Sequence, residues 1–345
     1  MDAGYQSNSY KGKSVNGVAG NGSSTSQINF RGTEDLGGGL KANFRVETDW
    51  NTVSNNGNAG TKSTNGDGVS SFGNGEIRVG LAGAFGALDM GAVNYNTLGS
   101  YLAGQPFGTA IGSGFRAVTL NDTQGIEASR VANTPSAAGS MVRAENALKY
   151  TTPSFSGFNA TLYKSFKQTK ASDTKFSTTL GAYEQVGTQE IGLNYANGPL
   201  AASFSSLKQD NKDVGTLVTS NTVNTLGANY ALGNFKVFGL YQNTKIDAPA
   251  GNAANLKFMS VSGTYTMGAV VLMAQYGTLK EKDVTEKNSM TSLGADYNLS
   301  KRTALYARYE NINDKMGIVP NPSTLAAEAD NNKRTRTAFG VRHAF

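Results

Sequence analysis

Strict alternation of apolar and polar residues, repeated along the whole chain, is the feature that most limits its possible folds. In LKANFRVETDW (residues 40–50), for example, Phe44 lies between Asn43 and Arg45. The same pattern occurs in four other well-separated segments, residues 27–31, 76–81, 293–299 and 305–310. A period of two residues indicates β-strands with one apolar face and one polar face.

Short and long connections alternate between these strands. Seven short turns mostly carry the Gly, Asn, Ser or Pro that tight turns require. Eight longer polar segments separate the resulting hairpins: residues 6–26, 51–74, 94–142, 168–188, 208–221, 243–255, 280–289 and 311–334. These fifteen connections join sixteen strands. We therefore predict one all-β domain over residues 1–345, a 16-stranded antiparallel transmembrane β-barrel with short periplasmic turns and long extracellular loops.

The composition favours a membrane barrel over a soluble globule. Charged residues make up 16% of the chain, against about 25% in soluble domains. No run of 18 apolar residues predicts a transmembrane helix, which leaves a closed barrel as the way to satisfy every backbone group inside lipid. A soluble β-sandwich would show the same alternation, but the many Ala, Thr and Gly at its apolar positions would leave voids in a packed core.

The residue inventory gives little support to catalysis or metal binding. The chain has no Cys and a single His, His343, so disulfide frameworks, zinc sites and His-based triads are not expected. The alternation places His343 on the outer face of the last strand. The net charge of +6 comes without a basic cluster, which argues against a nucleic-acid partner. We predict a protein that is not an enzyme, with no catalytic residue, metal or cofactor.

The last predicted strand continues to the final residue. In residues 338–345, the alternation turns Phe339, Val341 and Phe345 outward and Arg342 inward. A closed barrel has no free edge, so this strand is expected to pair with the first strand.

Four motifs in the chain resemble the general-diffusion porins of β-proteobacteria, a family of Gram-negative trimeric porins. The motifs are RGTEDLGGGLKANFRVE (residues 31–47), VRAENALKYTTPSFSGFNATLY (142–163), YNLSKRTALYARY (297–309) and FGVRHAF (339–345). The resemblance covers nearly the whole chain and implies a sixteen-stranded barrel in the outer membrane of a Gram-negative bacterium. It also implies a third loop folded into the lumen, and it gives the terminal Phe345 the role of an insertion signal.

The function that the resemblance implies is a water-filled channel for passive diffusion of ions and small hydrophilic solutes. Its partners would be outer-membrane lipids, lipopolysaccharide, small and mainly anionic solutes, and further copies of the chain in a homotrimer. Small residues at outer positions of the early and late strands are expected to permit close subunit contact, namely Ala42, Ala82, Ala295 and Ala307. The alternative is a surface barrel that acts as an adhesin or faces the immune system through its extracellular loops.

Parity and depth place a set of charged and polar side chains at one level of the inner face. The wall candidates for the pore constriction are Gln27, Arg31, Arg45, Glu47, Glu76, Arg78 and Arg143. Residues 94–142 match the family's third loop, the constriction loop, and contribute Arg116, Asp122, Glu127 and Arg130. Charges that line a narrow pore set its ion preference. The alternative for any one of these wall charges is a solvated residue away from the constriction, with little effect on ion preference. The alternative for residues 94–142 is a mobile surface loop.

The chain departs from the family pattern in two places. The family's mature chain opens with a longer first strand, so the first strand here is expected to be truncated at its N-terminus. In the family, an Arg is common at the position of Gln27 and another basic residue near Glu76. Compared with the family, the wall therefore lacks two positive charges, and a negative charge, Glu76, replaces one of them. We expect only a weak preference for anions, which salt should screen further.

Overall fold

The computed structural model describes residues 1–10, 12–50, 52–53, 72–115, 119, 141–166, 187–210, 220–247, 253–316 and 332–345. Within these residues the chain forms seventeen strands and one short helix. The elements are β1 (Asp2–Tyr10), β2 (Lys13–Ala19), β3 (Gln27–Gly37), β4 (Leu40–Asp49), β5 (Ile77–Gly83), β6 (Gly86–Asn94), α1 (Asn96–Ala103), β7 (Arg143–Thr151), β8 (Phe158–Ser165), β9 (Gly187–Asn197), β10 (Leu200–Asp210), β11 (Ser220–Leu232), β12 (Phe235–Asp247), β13 (Ala254–Met267), β14 (Val270–Glu281), β15 (Lys287–Asn298), β16 (Thr303–Asp314) and β17 (Asn332–His343).

All of these strands belong to one antiparallel sheet. From β3 to β17 each strand pairs with the next along the chain. The last strand, β17, also pairs with β1, in a register that joins Asp2 to Arg342 and Tyr10 to Arg334. The expected pairing of the first and last strands is therefore confirmed.

The strand count differs from the sixteen that the sequence predicts. The additional strand, β2, lies inside the predicted connection 6–26 and forms a hairpin with β1. Gly12 has a φ of 74° at the tip of this hairpin, a left-handed conformation that glycine adopts without a steric penalty. Residues 13–19 lack apolar alternation, because Val15 and Val18 are three positions apart. The strand β2 forms through backbone pairing with β1, although its sequence does not alternate.

The two faces of the sheet differ in polarity, as the alternation predicts. On the outer face, which carries Phe44, large apolar side chains are exposed, and Phe339 retains 60% of its surface. The inner face carries Arg45 and Arg342, and Arg342 lies 3.4 Å from a carboxylate oxygen of Asp296. The predicted orientation of the last strand is confirmed. A soluble sandwich would bury the apolar face, so that alternative is wrong.

One small residue lies on the opposite face from the one predicted. Ala82 pairs with Lys41 on β4, and directly opposed residues of an antiparallel pair project from the same face. Lys41 shares the inner face with Arg45, so Ala82 is an inner residue. The outer set of β5 consists of Ile77, Val79 and Leu81, and the next residue therefore points inward.

Buried apolar side chains collect inside the curved sheet rather than on its outer face. Tyr101 of α1 and Phe115 pack with Leu240, Phe258 and Met290 of the inner wall. These contacts hold residues 94–115 against the inner face, with α1 lying on β9–β12. No helix in the described part of the chain is long and apolar enough to cross a membrane.

Candidate functional site

Charged side chains on the inner face of β4–β7, and just before β5, form a connected network that we call the early-strand cluster. Strand register builds its centre, because Arg31 pairs with Arg45 and Arg45 pairs with Arg78 across β3, β4 and β5. Three arginines therefore lie in a row on one face. The cluster consists of Arg45, Glu47, Asp49, Glu76, Arg78, Asp89 and Arg143.

Carboxylates between the arginines offset their mutual repulsion. Arg45 forms an ion pair with Glu47, and its Nη1 donates to Oε2 of Glu76 at 2.8 Å. Arg78 forms an ion pair with Asp89 at 2.5 Å and lies 3.9 Å from Glu76. Charges at these distances attract appreciably even where water reaches them. The ion pairs therefore allow Arg45 and Arg78 to lie side by side.

Arg143 joins this network from β7. Its Nη1 lies 3.5 Å from Oε1 of Glu47, and its Nη2 lies 3.8 Å from Oδ2 of Asp49. The sequence predicts that Arg143 points inward, because it shares the parity of Ala147. A bulge interrupts that parity, because the register shifts between Ala144 and Ala147. The parity argument for Arg143 is therefore wrong, although its guanidinium group lies within ion-pair distance of the inner carboxylates Glu47 and Asp49. Its place at a pore constriction stays a prediction.

The remaining wall candidates contribute less to the network. Gln27 donates from Nε2 to Oδ1 of Asp49 at 2.9 Å, so it stands at the edge of the cluster. Arg31 is exposed and forms no ion pair with the described residues. The loop candidates Arg116, Asp122, Glu127 and Arg130 lie outside the described residues.

Two carboxylates of the cluster are not among the predicted constriction residues. Asp49 follows Glu47 on the polar face of the alternation, but the predicted constriction set includes only Glu47 of these two. Asp89 depends on the pairing of β5 with β6, which places it beside Gly80 and one step from Arg78. With these two, the cluster holds three arginines and four carboxylates.

A second set of charges lies on β15–β17, and we call it the late-strand cluster. Asp296 pairs with Arg308 at 2.7 Å and with Arg342 at 3.4 Å. Glu310 lies 2.7 Å from Arg336 and 3.3 Å from Arg334. The cluster consists of Asp296, Arg308, Glu310, Arg334, Arg336 and Arg342. Sequence reasoning missed it, although Arg334 and Arg336 share the parity of the inward-facing Arg342.

Glu310 also connects the wall to the segment that follows α1. Its Oε2 accepts the backbone N–H groups of Gly112 and Gly114, each at 3.1 Å. The carboxylate is almost completely buried, with 1% of its surface exposed. Backbone donors and guanidinium groups together satisfy a charge that would be costly to bury alone.

A second buried carboxylate, Glu190 on β9, holds the start of α1. It accepts the backbone N–H groups of Asn96 and Thr97, each at 2.6 Å, and the Thr97 hydroxyl at 2.7 Å. The residue at the N-cap position, Tyr95, makes no capping hydrogen bond. An acidic group at a helix N-terminus satisfies free N–H donors and complements the helix dipole. Burial raises the pKa of the Tyr95 hydroxyl.

One cavity of about 1060 Å³ lies between these groups. Its lining includes members of both clusters, among them Arg45, Arg143 and Arg336, and residues 108–111 of the segment after α1. Most of the wall candidates that the structure describes therefore lie at one place in the interior. The arrangement gives a hydrated space with charges of both signs, which is suited to the passage of polar solutes.

An antiparallel sheet with an exposed apolar outer face and a charged interior defines the class of protein: an outer-membrane channel of the porin type. Comparisons with known proteins agree with this class. The profile of the Gram-negative porin family matches residues 1–317. Outer membrane porin protein 32 of Delftia acidovorans is 32% identical over 99% of this chain and 90% of its own length.

Solved structures give the same result. The anion-selective porin from Comamonas acidovorans has a TM-score of 0.76 and 28% identity, covering 100% of this chain and 97% of that one. OmpT of Vibrio cholerae, in a trimer form, has a TM-score of 0.64 at 14% identity over 98% of each chain, which shows the fold alone. The chain belongs to the Gram-negative porin family, and the family that its motifs predicted is confirmed. Its location is the outer membrane of a Gram-negative bacterium.

Proposed function

We propose that this porin is a passive diffusion channel for ions and small hydrophilic solutes, with a weak preference for anions. The observation that carries the proposal is the cavity of about 1060 Å³, whose lining draws charged side chains from both clusters. Solutes that keep their hydration shell would meet charged and polar side chains along this lining, beside apolar ones such as Leu98 and Leu102. No binding step is required for passage, so transport follows the concentration gradient.

The weak anion preference rests on charge counting and on a relative. The lining of the cavity contains three arginines, Arg45, Arg143 and Arg336, and two carboxylates, Glu47 and Asp49. The loop charges balance, with Arg116 and Arg130 against Asp122 and Glu127. A related porin of solved structure is described as anion-selective. A small positive excess attracts anions, and salt screens that attraction over about 10 Å at 0.1 M.

We also propose that residues 94–142 narrow the channel as its constriction loop. The contacts of Glu190 and Glu310 with residues 96–114 support this proposal, since both carboxylates project from the inner wall. A segment held at two places against the wall occupies part of the lumen. The wall candidates around Arg45 and Arg143 would then form the opposite side of the narrow region.

The outer face fits a homotrimer embedded in lipid and lipopolysaccharide. Ala42, Ala295 and Ala307 lie on the outer face of β4, β15 and β16, beside the exposed Phe44, Leu293 and Tyr309. Small side chains let neighbouring barrels approach closely. We propose no catalytic role. His343, the only His in the sequence, forms a hydrogen bond with Thr303 and meets the ring of Phe345 edge-on.

Purified protein in planar lipid bilayers tests this function. Stepwise current increases in the nanosiemens range, a linear current–voltage relation and swelling of liposomes in small sugars are the expected results. Light scattering in mild detergent should give the mass of three chains. Protein that inserts in folded form but conducts no ions would overturn the proposal and would favour a surface role for the loops.

A further inference from the structure

We propose that Glu190, which does not line the cavity, is the positioning residue that sets the size limit of the channel. It acts through α1, the helix that opens the segment 94–142. The proposal rests on the proposed function, because it concerns the segment that narrows that channel.

Glu190 is the charged anchor of α1, beside neutral hydrogen bonds that join Asn96 to Ser203 and Thr97 to Ser205. Its two carboxylate oxygens accept three hydrogen bonds from Asn96 and Thr97, all between 2.6 and 2.7 Å. Glu190 is 2% exposed, so water cannot replace it. A glutamine here would place an NH₂ group among donors, and at least one of the three hydrogen bonds would be lost.

The surrounding wall is shaped to receive the helix. The hydroxyl groups of Ser100 and Ser203 are 2.7 Å apart, and Asn229 donates from Nδ2 to the carbonyl of Ala103 at 2.8 Å. A Cβ at Gly227 would lie 1.8 Å from the Ser100 carbonyl oxygen, so only glycine allows the helix to approach β11 this closely. These contacts fix where the helix lies once its first turn is held.

The opposite side of the same helix faces the channel. Leu98 and Leu102, one turn apart, line the cavity together with Arg45 and Arg143. The wall-facing side carries Thr97 and Ser100, which are fully buried. The helix α1 thus lies between the wall and the lumen. Its displacement would change the width of the channel beside the early-strand cluster.

The test replaces Glu190 by Gln and measures which sugars enter liposomes. We expect loss of the charged anchor to raise the undocked population of α1 about tenfold. Sugars just above the wild-type limit should then cause swelling, and single-channel currents should become larger and noisier. Glu34→Gln, which removes an exposed carboxylate of β3 far from α1, should match wild type. Thr97→Val, which deletes one of the three donors, should give a smaller effect in the same direction.

A reversible cross-link separates positioning from general stability. The chain has no Cys, and the close Ser100–Ser203 pair suits a disulfide between Ser100→Cys and Ser203→Cys. Added to Glu190→Gln, the oxidised cross-link should restore the wild-type size limit, and its reduction should abolish that restoration in the same sample. An unchanged limit in Glu190→Gln and Thr97→Val, or no restoration on oxidation, would overturn the role of Glu190. A wild-type protein that forms no pore would instead overturn the proposed function and this inference together.

Discussion

The early-strand and late-strand clusters of the inner wall differ in how far some of their arginines are exposed. In the early-strand cluster, the side chains of Arg45 and Arg78 retain 30% and 26% of their surface. In the late-strand cluster, Arg308 and Arg334 retain 3% and 1%. Arg45 and Arg143 of the early-strand cluster line the cavity, whereas Arg308 and Arg334 of the late-strand cluster are buried. Glu310, which pairs with Arg334, is bonded to the segment that follows α1.

This difference assigns two physical roles to the same residue type. A partly hydrated ion pair contributes little to folding, because water competes for both charges. It remains available to ions that pass nearby. A buried pair stabilises the fold only as a complete set, since removing one member leaves an uncompensated charge. Early-cluster substitutions should therefore change ion preference, and late-cluster substitutions should change stability.

The largest effect is expected for Glu310→Gln. The change removes the carboxylate that serves Arg334, Arg336, Gly112 and Gly114. It should lower the free energy of unfolding by about 3–5 kcal/mol. Asp89→Asn, which removes one carboxylate from the early-strand cluster, should cost about 1 kcal/mol or less. Urea unfolding in lipid vesicles measures the free energy of unfolding of both variants. Equal decreases would contradict the assignment of different roles to the two clusters.

A change of ion preference is expected for Glu76→Arg. Glu76 lies between Arg45 and Arg78, at 2.8 and 3.9 Å, so the substitution changes the local charge by two units. The chloride-to-potassium permeability ratio should rise by roughly twofold or more at 0.1 M salt. Glu76→Gln should give about half the shift in reversal potential. A ratio that stays at the wild-type value would mean that the cluster lies away from the path of the ions.

A smaller shift in the opposite direction is expected for Arg143→Ala. Arg143 faces the two carboxylates Glu47 and Asp49 at 3.5 and 3.8 Å, and its loss leaves both without this partner. The reversal potential should move toward cation preference, with little change in the urea midpoint. Arg342→Gln on β17 removes the same charge at a position that does not line the cavity, and it should leave the reversal potential unchanged.

Turn residues together with alternation predicted fifteen strands that correspond to β3–β17, although a bulge in β7 interrupts the period of two there. The prediction failed for β2, where Val15 and Val18 do not alternate and backbone pairing with β1 forms the hairpin. The same local rule found Arg45 and Arg78 and anticipated their inward orientation. Parity along one strand is enough for that purpose, since neighbouring strands share the same inner face.

Features that depend on contacts between distant segments could not be read in this way. Asp89 joins the early-strand cluster through strand register, and Glu310 meets Gly112 across 198 residues of sequence. Glu190 meets Asn96 across 94 residues. A buried carboxylate on an inner face looks like any other wall residue until its partners are known. Sequence reasoning therefore could not identify Glu190 as the anchor of α1 or Glu310 as the anchor of the segment after it.

The reversal potential of the wild-type channel in a dilute KCl gradient tests the central claim most directly. The claim is that charges of both signs line one aqueous passage and leave a small positive excess. We expect a modest potential of the sign that indicates anion preference at about 0.1 M, falling toward zero near 1 M as the Debye length shrinks from about 10 to about 3 Å. A strongly cation-selective channel, or a potential that does not change with salt, would contradict this account.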